Sequence, residues 1–228
     1  AWSRGPFVKL HHRKNAGHPG NRRKYDLDRV KEKPGSALRG KRIVFLGSSV
    51  TYGASSQRVS FVDYLGKQNG SDVIKEAVSG TTLVEEGQDS YIARLRNMGE
   101  DHVDLFVCQL STNDATRKKP LGAVGASTGP DDFDTGTVAG AMEYIIAYAK
   151  EKWGCPVMFY TNPRYDSEEY GRMVALLKEI RGRWDIGVID MWDDEAFNRI
   201  SEEDRSLYMA DSIHPTKAGY LEWWLPYM

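Results

Sequence analysis

Hydroxyl groups crowd one short stretch, Gly47-Ser48-Ser49-Val50-Thr51-Tyr52-Gly53, directly behind the apolar run 43–46. A serine is a weak nucleophile at neutral pH, so chemistry here requires a base to take its proton and donors to hold an oxyanion. Only two histidines lie outside residues 1–42, His102 and His214. His102 immediately precedes the apolar run 103–110 and so belongs at the start of a strand, away from the serines. His214 follows Asp211 by three residues, a spacing that lets a carboxylate meet one ring nitrogen while the other faces a serine. Taken alone, Asp-x-x-His reads first as a structural turn. Gly80 offers an unencumbered backbone N–H and Asn113 a side-chain amide. Each also has a plain turn reading, glycine for a positive φ and Asn113-Asp114 as a turn pair. What favours a site is their convergence.

That convergence depends on the elements between the blocks. Apolar runs at 43–46, 72–77, 103–110, 156–160 and 187–190 read as strands. Helical spacing is predicted over 60–68, with Gly70 behind it, and over 89–98, with Ile92 and Leu95 inward. Further helices are predicted over 137–153, closed by Gly154, from the N-cap Ser167 to residue 183, and over 216–225. Strands alternating with helices predict an α/β fold, a three-layer αβα sandwich around a roughly five-stranded parallel sheet. In such sheets ligands bind beyond the carboxyl ends of the strands. Ser48-Ser49, Ser79-Gly80-Thr81, Ser111-Thr112-Asn113-Asp114 and Asp211-Ser212-Ile213-His214 all follow strands, so four polar loops are expected on one rim.

From about residue 41 to residue 218 the chain resembles the SGNH or GDSL-type hydrolases, which carry four such blocks in this order. The resemblance implies a flavodoxin-like fold, a nucleophile at Ser49, and an acid and base at Asp211 and His214. It also implies an oxyanion hole from the Ser49 and Gly80 N–H groups and Asn113. Two positions depart from the family pattern. Ser48 stands where an aspartate is usual, which leaves a second hydroxyl beside the nucleophile, and Ser111 stands where a glycine is usual. Thr51 and Gly53 match. The implied chemistry is two-step acyl transfer that needs no metal and no organic cofactor. The implied substrate is a small short-chain ester, with O-acetyl groups of a carbohydrate as the expected target. An acyltransferase using the same triad and a non-catalytic ligand-binding protein of the same fold are the alternatives. A P-loop is disfavoured, because Ala54-Ser55 follows Gly53 where Lys and Ser or Thr are needed.

Charge divides the 228 residues unevenly. Of 31 Lys and Arg and 32 Asp and Glu, residues 1–42 hold 13 and three, leaving 18 and 29 for the remainder. A basic N-terminal arm, 1–40, packed on or extending from the body, is therefore expected before a single domain, 41–228. Trp2, Phe7, Val8 and Leu10 could anchor the arm, and its charge is expected to complement the acidic body. An anionic partner is the lesser reading, since no nucleic-acid module accompanies the charge. His11, His12 and His18 lack the Cys or carboxylate spacing of a metal site and are expected as exposed loop residues. No apolar run is long enough to span a bilayer, so no membrane partner is expected. Two cysteines favour a reducing, cytoplasmic compartment; secretion stays open because a signal could precede Ala1. The glycine-rich segment 117–135 is expected to shape the substrate pocket. Trp223 and Trp224 read as core residues before they read as a sugar-binding face.

Overall fold

A central strand of a parallel sheet is covered on both faces, so it must be apolar along its whole length. β1 (Arg42–Gly47) fits this rule, with Ile43, Val44, Phe45 and Leu46 all buried. In the computed structural model, which describes residues 15–228, β1 pairs with β2 (Asp72–Ala77) on one side and β3 (Leu105–Gln109) on the other. β4 (Val157–Tyr160) and β5 (Gly187–Ile189) complete an all-parallel sheet in the order β2-β1-β3-β4-β5. The chain leaves β1 outward to β2 and returns to β3 on the other side. The carboxyl ends of β1 and β3 therefore flank the point where the winding reverses, which is where such sheets open a crevice.

Alternate residues of β1 serve two cores, as a period of two requires. Val44 and Leu46 join the layer formed by α3 (Tyr91–Arg96), α5 (Val138–Trp153) and α6 (Glu168–Arg183). Ile43 and Phe45 face α2 (Phe61–Asn69) and the C-terminal segment. Phe61 is fully buried there, edge-on to Phe45 and Tyr160 with ring centroids 5.7 and 5.0 Å away. Burying such a ring stabilises the fold by about 2–3 kcal/mol.

The helix ends follow local chemistry. Ser60 and Asp63 form a capping box on α2, and Gly70 closes that helix in the left-handed region. Thr137 and Ser167 accept backbone N–H groups at the starts of α5 and α6. The segment expected as an α-helix over 216–225 instead holds a π-helical stretch, Gly219–Trp224, with Leu225 N–H donating to Tyr220 O at 2.9 Å. The wider turn seats adjacent tryptophans in different contacts: Trp223 stacks on Phe197 at 4.7 Å, and Trp224 packs on Phe61 at 5.7 Å. Among the described residues no helix is long and apolar enough to cross a membrane.

Residues 15–40 lie along α2 and the C-terminal segment as short 3-10 turns, with Tyr25 buried. Their ties are mostly to backbone: Tyr64 Oη donates to Tyr25 O at 2.6 Å, and Lys33 N–H to Gln68 O at 2.6 Å. Asn21 donates to Ser55 O at 2.8 Å and accepts Lys217 N–H at 2.9 Å. Of the basic residues up to position 42, Lys41 and Arg42 pair with Asp104, Asp72 and Asp101 of the body. Among the described residues 15–40, Arg29 and Arg39 pair with Asp28 and Glu32 of the arm itself, and Asp26 pairs with Lys217 of the body at 2.7 Å. His18 is half-buried rather than exposed, and its Nδ1 accepts Gly20 N–H at 3.0 Å. Burial lowers its pKa, opposed by a backbone hydrogen bond to Met209. Trp2, Phe7, Val8, Leu10, His11 and His12 lie outside the described residues.

Candidate active site

Gln109 is a polar residue ending an otherwise apolar strand, and it organises the turn after β1. It is fully buried, and its Oε1 accepts Ser48 N–H at 2.9 Å, Thr51 N–H at 3.3 Å and Thr51 Oγ1 at 2.7 Å. Thr51 Oγ1 also lies 2.6 Å from the Tyr160 hydroxyl. Gly47 is required beneath this network, because a Cβ there would stand 1.8 Å from Thr51 Oγ1 and 2.8 Å from Gln109 Oε1. Ser49 then begins the one-turn helix α1 (Ser49–Tyr52).

Ser49 Oγ lies 2.8 Å from His214 Nε2. On the other side of the ring, Nδ1 is 3.0 and 2.9 Å from the two carboxylate oxygens of Asp211. The carboxylate holds the ring proton on Nδ1 and leaves the Nε2 lone pair to accept from the Ser49 hydroxyl. Asp211 Oδ1 also accepts the N–H groups of Ile213 and His214, at 2.8 and 2.7 Å. Burial would raise the Asp211 pKa, but the His214 hydrogen bond and charge and these two backbone donors bring it down to about 2. Asn162, at the end of β4, steadies the histidine loop by donating to Ile213 O at 3.0 Å.

The two adjacent serines have opposite fates. Ser48 is fully buried, and its backbone φ is −120°. Its hydroxyl neighbours the Tyr91 phenol, whose pKa is pushed up, above all by burial. Only Ser49 meets an imidazole.

Gly80 adopts φ +82°, and among the described residues beyond its two chain neighbours no atom lies within 4 Å of the place a Cβ would occupy, so its loop borders open space. Asn113 directs one amide hydrogen to Thr81 O at 2.8 Å, leaving its second for a ligand. Ser111, in the usual glycine position, caps α4 (Thr112–Thr116) by accepting Asn113 N–H at 3.2 Å. Next to Asn113, the buried Asp114 accepts the N–H groups of Leu83 at 2.8 Å and Val84 at 3.0 Å, fixing the chain beyond Gly80. Burial raises the Asp114 pKa against these donors. Gln109 and Asn162 escaped notice in the sequence and Asp114 was read only as the turn partner of Asn113, although each is a polar residue at or just beyond the carboxyl end of a strand.

The remaining expectations divide. His102 is exposed before β3 and pairs with Asp104 at 3.1 Å. Segment 117–135 reaches the Gly80 loop through Arg117, which donates to Gly80 O at 2.7 Å. Its middle packs elsewhere: Gly125 N–H and Arg183 bind Glu143, and Phe133 lies against Trp184. Trp223 and Trp224 are both buried, so neither offers a sugar-binding face. Among the described residues no group of three or more His, Cys, Asp or Glu side chains could hold a metal ion.

Comparison with known proteins places the chain in a family. The model of the GDSL-like lipase/acylhydrolase family matches residues 45–221, from β1 through the histidine loop. The chain belongs to this family. Among solved structures similar to this family member is a protein from Lactobacillus plantarum, at TM-score 0.67 and 20% identity, covering 80% of this chain and 92% of its own. A candidate GDSL-like lipase from Bacteroides ovatus reaches TM-score 0.61 at 20% identity, over 82% and 95% of the two chains. An acetyl xylan esterase reaches TM-score 0.55 at 14% identity, over 79% and 94%. At these identities the likeness is one of fold. No curated protein matches the chain.

Proposed function

We propose that this GDSL-family protein is a serine esterase cleaving short acyl esters, with O-acetyl groups on carbohydrate as its natural target. The observation that carries the reading is the unbroken line from Ser49 Oγ through His214 to Asp211, beside a Gly80 loop that borders open space. Ser49 Oγ attacks the ester carbonyl carbon while His214 Nε2 takes its proton. The oxyanion is held by the N–H groups of Ser49 and Gly80 and the free amide hydrogen of Asn113. When the C–O bond breaks, His214 protonates the leaving alkoxide. Water then attacks the acyl-serine by the same proton path and releases the acid. The fold shared with an acetyl xylan esterase supports the choice of acetyl groups on a polysaccharide.

The test is labelling with a fluorophosphonate and peptide mapping, run beside hydrolysis of 4-nitrophenyl acetate, 4-nitrophenyl decanoate and acetylated xylan. The expected result is one label, on Ser49, with acetate cleaved faster than decanoate and acetate released from xylan. Ser49→Ala and His214→Ala should each abolish the activity. Label on Ser48, or hydrolysis surviving either substitution, would refute the triad assignment. Esterase activity that leaves acetylated xylan untouched would remove the carbohydrate part alone.

A further inference from the structure

Arg94 lies outside the proposed triad and oxyanion donors, yet it is only 9% exposed on α3. A guanidinium has five N–H donors in a fixed planar fork. Here all five are used. Nε donates to Asp89 O at 2.9 Å. Nη1 donates to Glu76 O at 2.9 Å and to the Glu76 carboxylate at 3.2 Å. Nη2 donates to Gly47 O at 2.9 Å and to Thr81 Oγ1 at 3.0 Å.

The last two contacts matter most. Gly47 is two residues before Ser49, and Thr81 is the residue after Gly80, so a single nitrogen joins the loops that carry the two backbone oxyanion donors. Thr81 also accepts the Asn113 amide through its carbonyl at 2.8 Å, while its hydroxyl donates to Val78 O at 2.7 Å. The Gly47–Arg94–Thr81 link therefore ties the Ser49 turn, clamped by Gln109, to the Gly80 loop on which Asn113 also rests. The ladder between β1 and β2 ends at Gly47 and Ala77, Val78 N–H still donates to Gly47 O at 3.2 Å, and beyond that contact the Arg94 fork ties the two loops directly through Gly47 O and Thr81 Oγ1. The Tyr91 ring, 5.3 Å from the guanidinium, and the buried surroundings leave that fork little room to turn.

We propose that Arg94 is a positioning residue that sets the distance between the Ser49 and Gly80 oxyanion donors; this rests on the esterase reading above. Lysine keeps the charge but presents three donors on one nitrogen, which cannot span Asp89, Glu76, Gly47 and Thr81 together. Displacing a single oxyanion donor lowers kcat about 10²–10³-fold in serine hydrolases. Arg94→Lys should therefore lose about 100-fold in kcat on 4-nitrophenyl acetate, counted per fluorophosphonate-reactive Ser49, with KM changed less than about threefold. Thr81→Val, which deletes the acceptor and leaves Arg94 in place, should lose about 10-fold in kcat, and Thr81→Ser should restore it to within about twofold.

A merely structural role would reduce the number of titratable sites and leave kcat per site unchanged. That outcome for Arg94→Lys, or a loss confined to KM, overturns the proposal. If Arg94→Lys does not fold, Thr81→Val decides: kcat per site within twofold of the parent overturns the proposal. Failure of the esterase reading is seen separately, in unsubstituted protein that takes no label on Ser49, and it removes this proposal too.

Discussion

Asp211→Asn isolates what the carboxylate does for His214. The amide oxygen can occupy the Oδ1 position and still accept the N–H groups of Ile213 and His214, so the loop should keep its shape. What changes is the charge about 3 Å from the imidazole ring. A full ion pair at that distance is worth about 5 kcal/mol at an effective dielectric near 20. The Asp211 side chain is 41% exposed, so solvent screening reduces this by about half. About 2–3 kcal/mol then remains to stabilise the imidazolium that forms as Ser49 attacks, equivalent to about 100-fold in rate. The amide NH₂ adds to the loss, because in the Oδ2 position it faces Nδ1–H and disfavours the tautomer with a free Nε2. The expected fall in kcat on 4-nitrophenyl acetate is therefore about 10²–10³-fold, with KM little changed and the circular dichroism spectrum intact. A folded variant whose kcat stays within about fivefold would refute the claim that this carboxylate assists the histidine.

Two further outcomes concern stability. Asp114→Ala leaves the buried N–H groups of Leu83 and Val84 without their acceptor, at about 1–3 kcal/mol each; differential scanning calorimetry should show a melting temperature lower by about 4–24 °C. The pH dependence follows from Asp211. Its folded-state pKa is depressed to about 2, below the ~3.9 of an unfolded chain. Its contribution to stability is therefore complete above about pH 4 and is lost as pH falls through about 2. Urea midpoints at pH 5, 3.5 and 2 should show the gap between the parent and Asp211→Asn closing as pH falls; a constant gap would contradict the sign.

The strand and helix pattern was legible because it rests on local rules. A parallel strand covered on both faces is apolar throughout, as in Ile43 to Leu46, and the caps at Ser60, Thr137, Ser167 and Gly154 act within a few residues of themselves. The same rules placed Ser49, Gly80, Asn113 and His214 after strands, and alternation of strand and helix implied that their loops share a rim. The C-terminal helix was misjudged in its winding because the π-helical turn is set by where Phe197 and Phe61 stand to receive two tryptophans, and both are distant in sequence.

Which serine meets the histidine was decided by tertiary structure. Ser48 and Ser49 are chemically identical neighbours, and their difference arises because Gln109, 60 residues beyond Ser49 on β3, clamps the turn so that one hydroxyl is buried and the other lies 2.8 Å from His214. The five donors of Arg94 likewise reach backbone and side-chain acceptors contributed by β1, β2 and the loop beyond Gly80. Residue types determine which groups could react, since nucleophile, base and carboxylate are properties of single side chains. Which of them do meet depends on contacts across strands that pair only once the sheet has formed, and no local pattern of the chain records those distances.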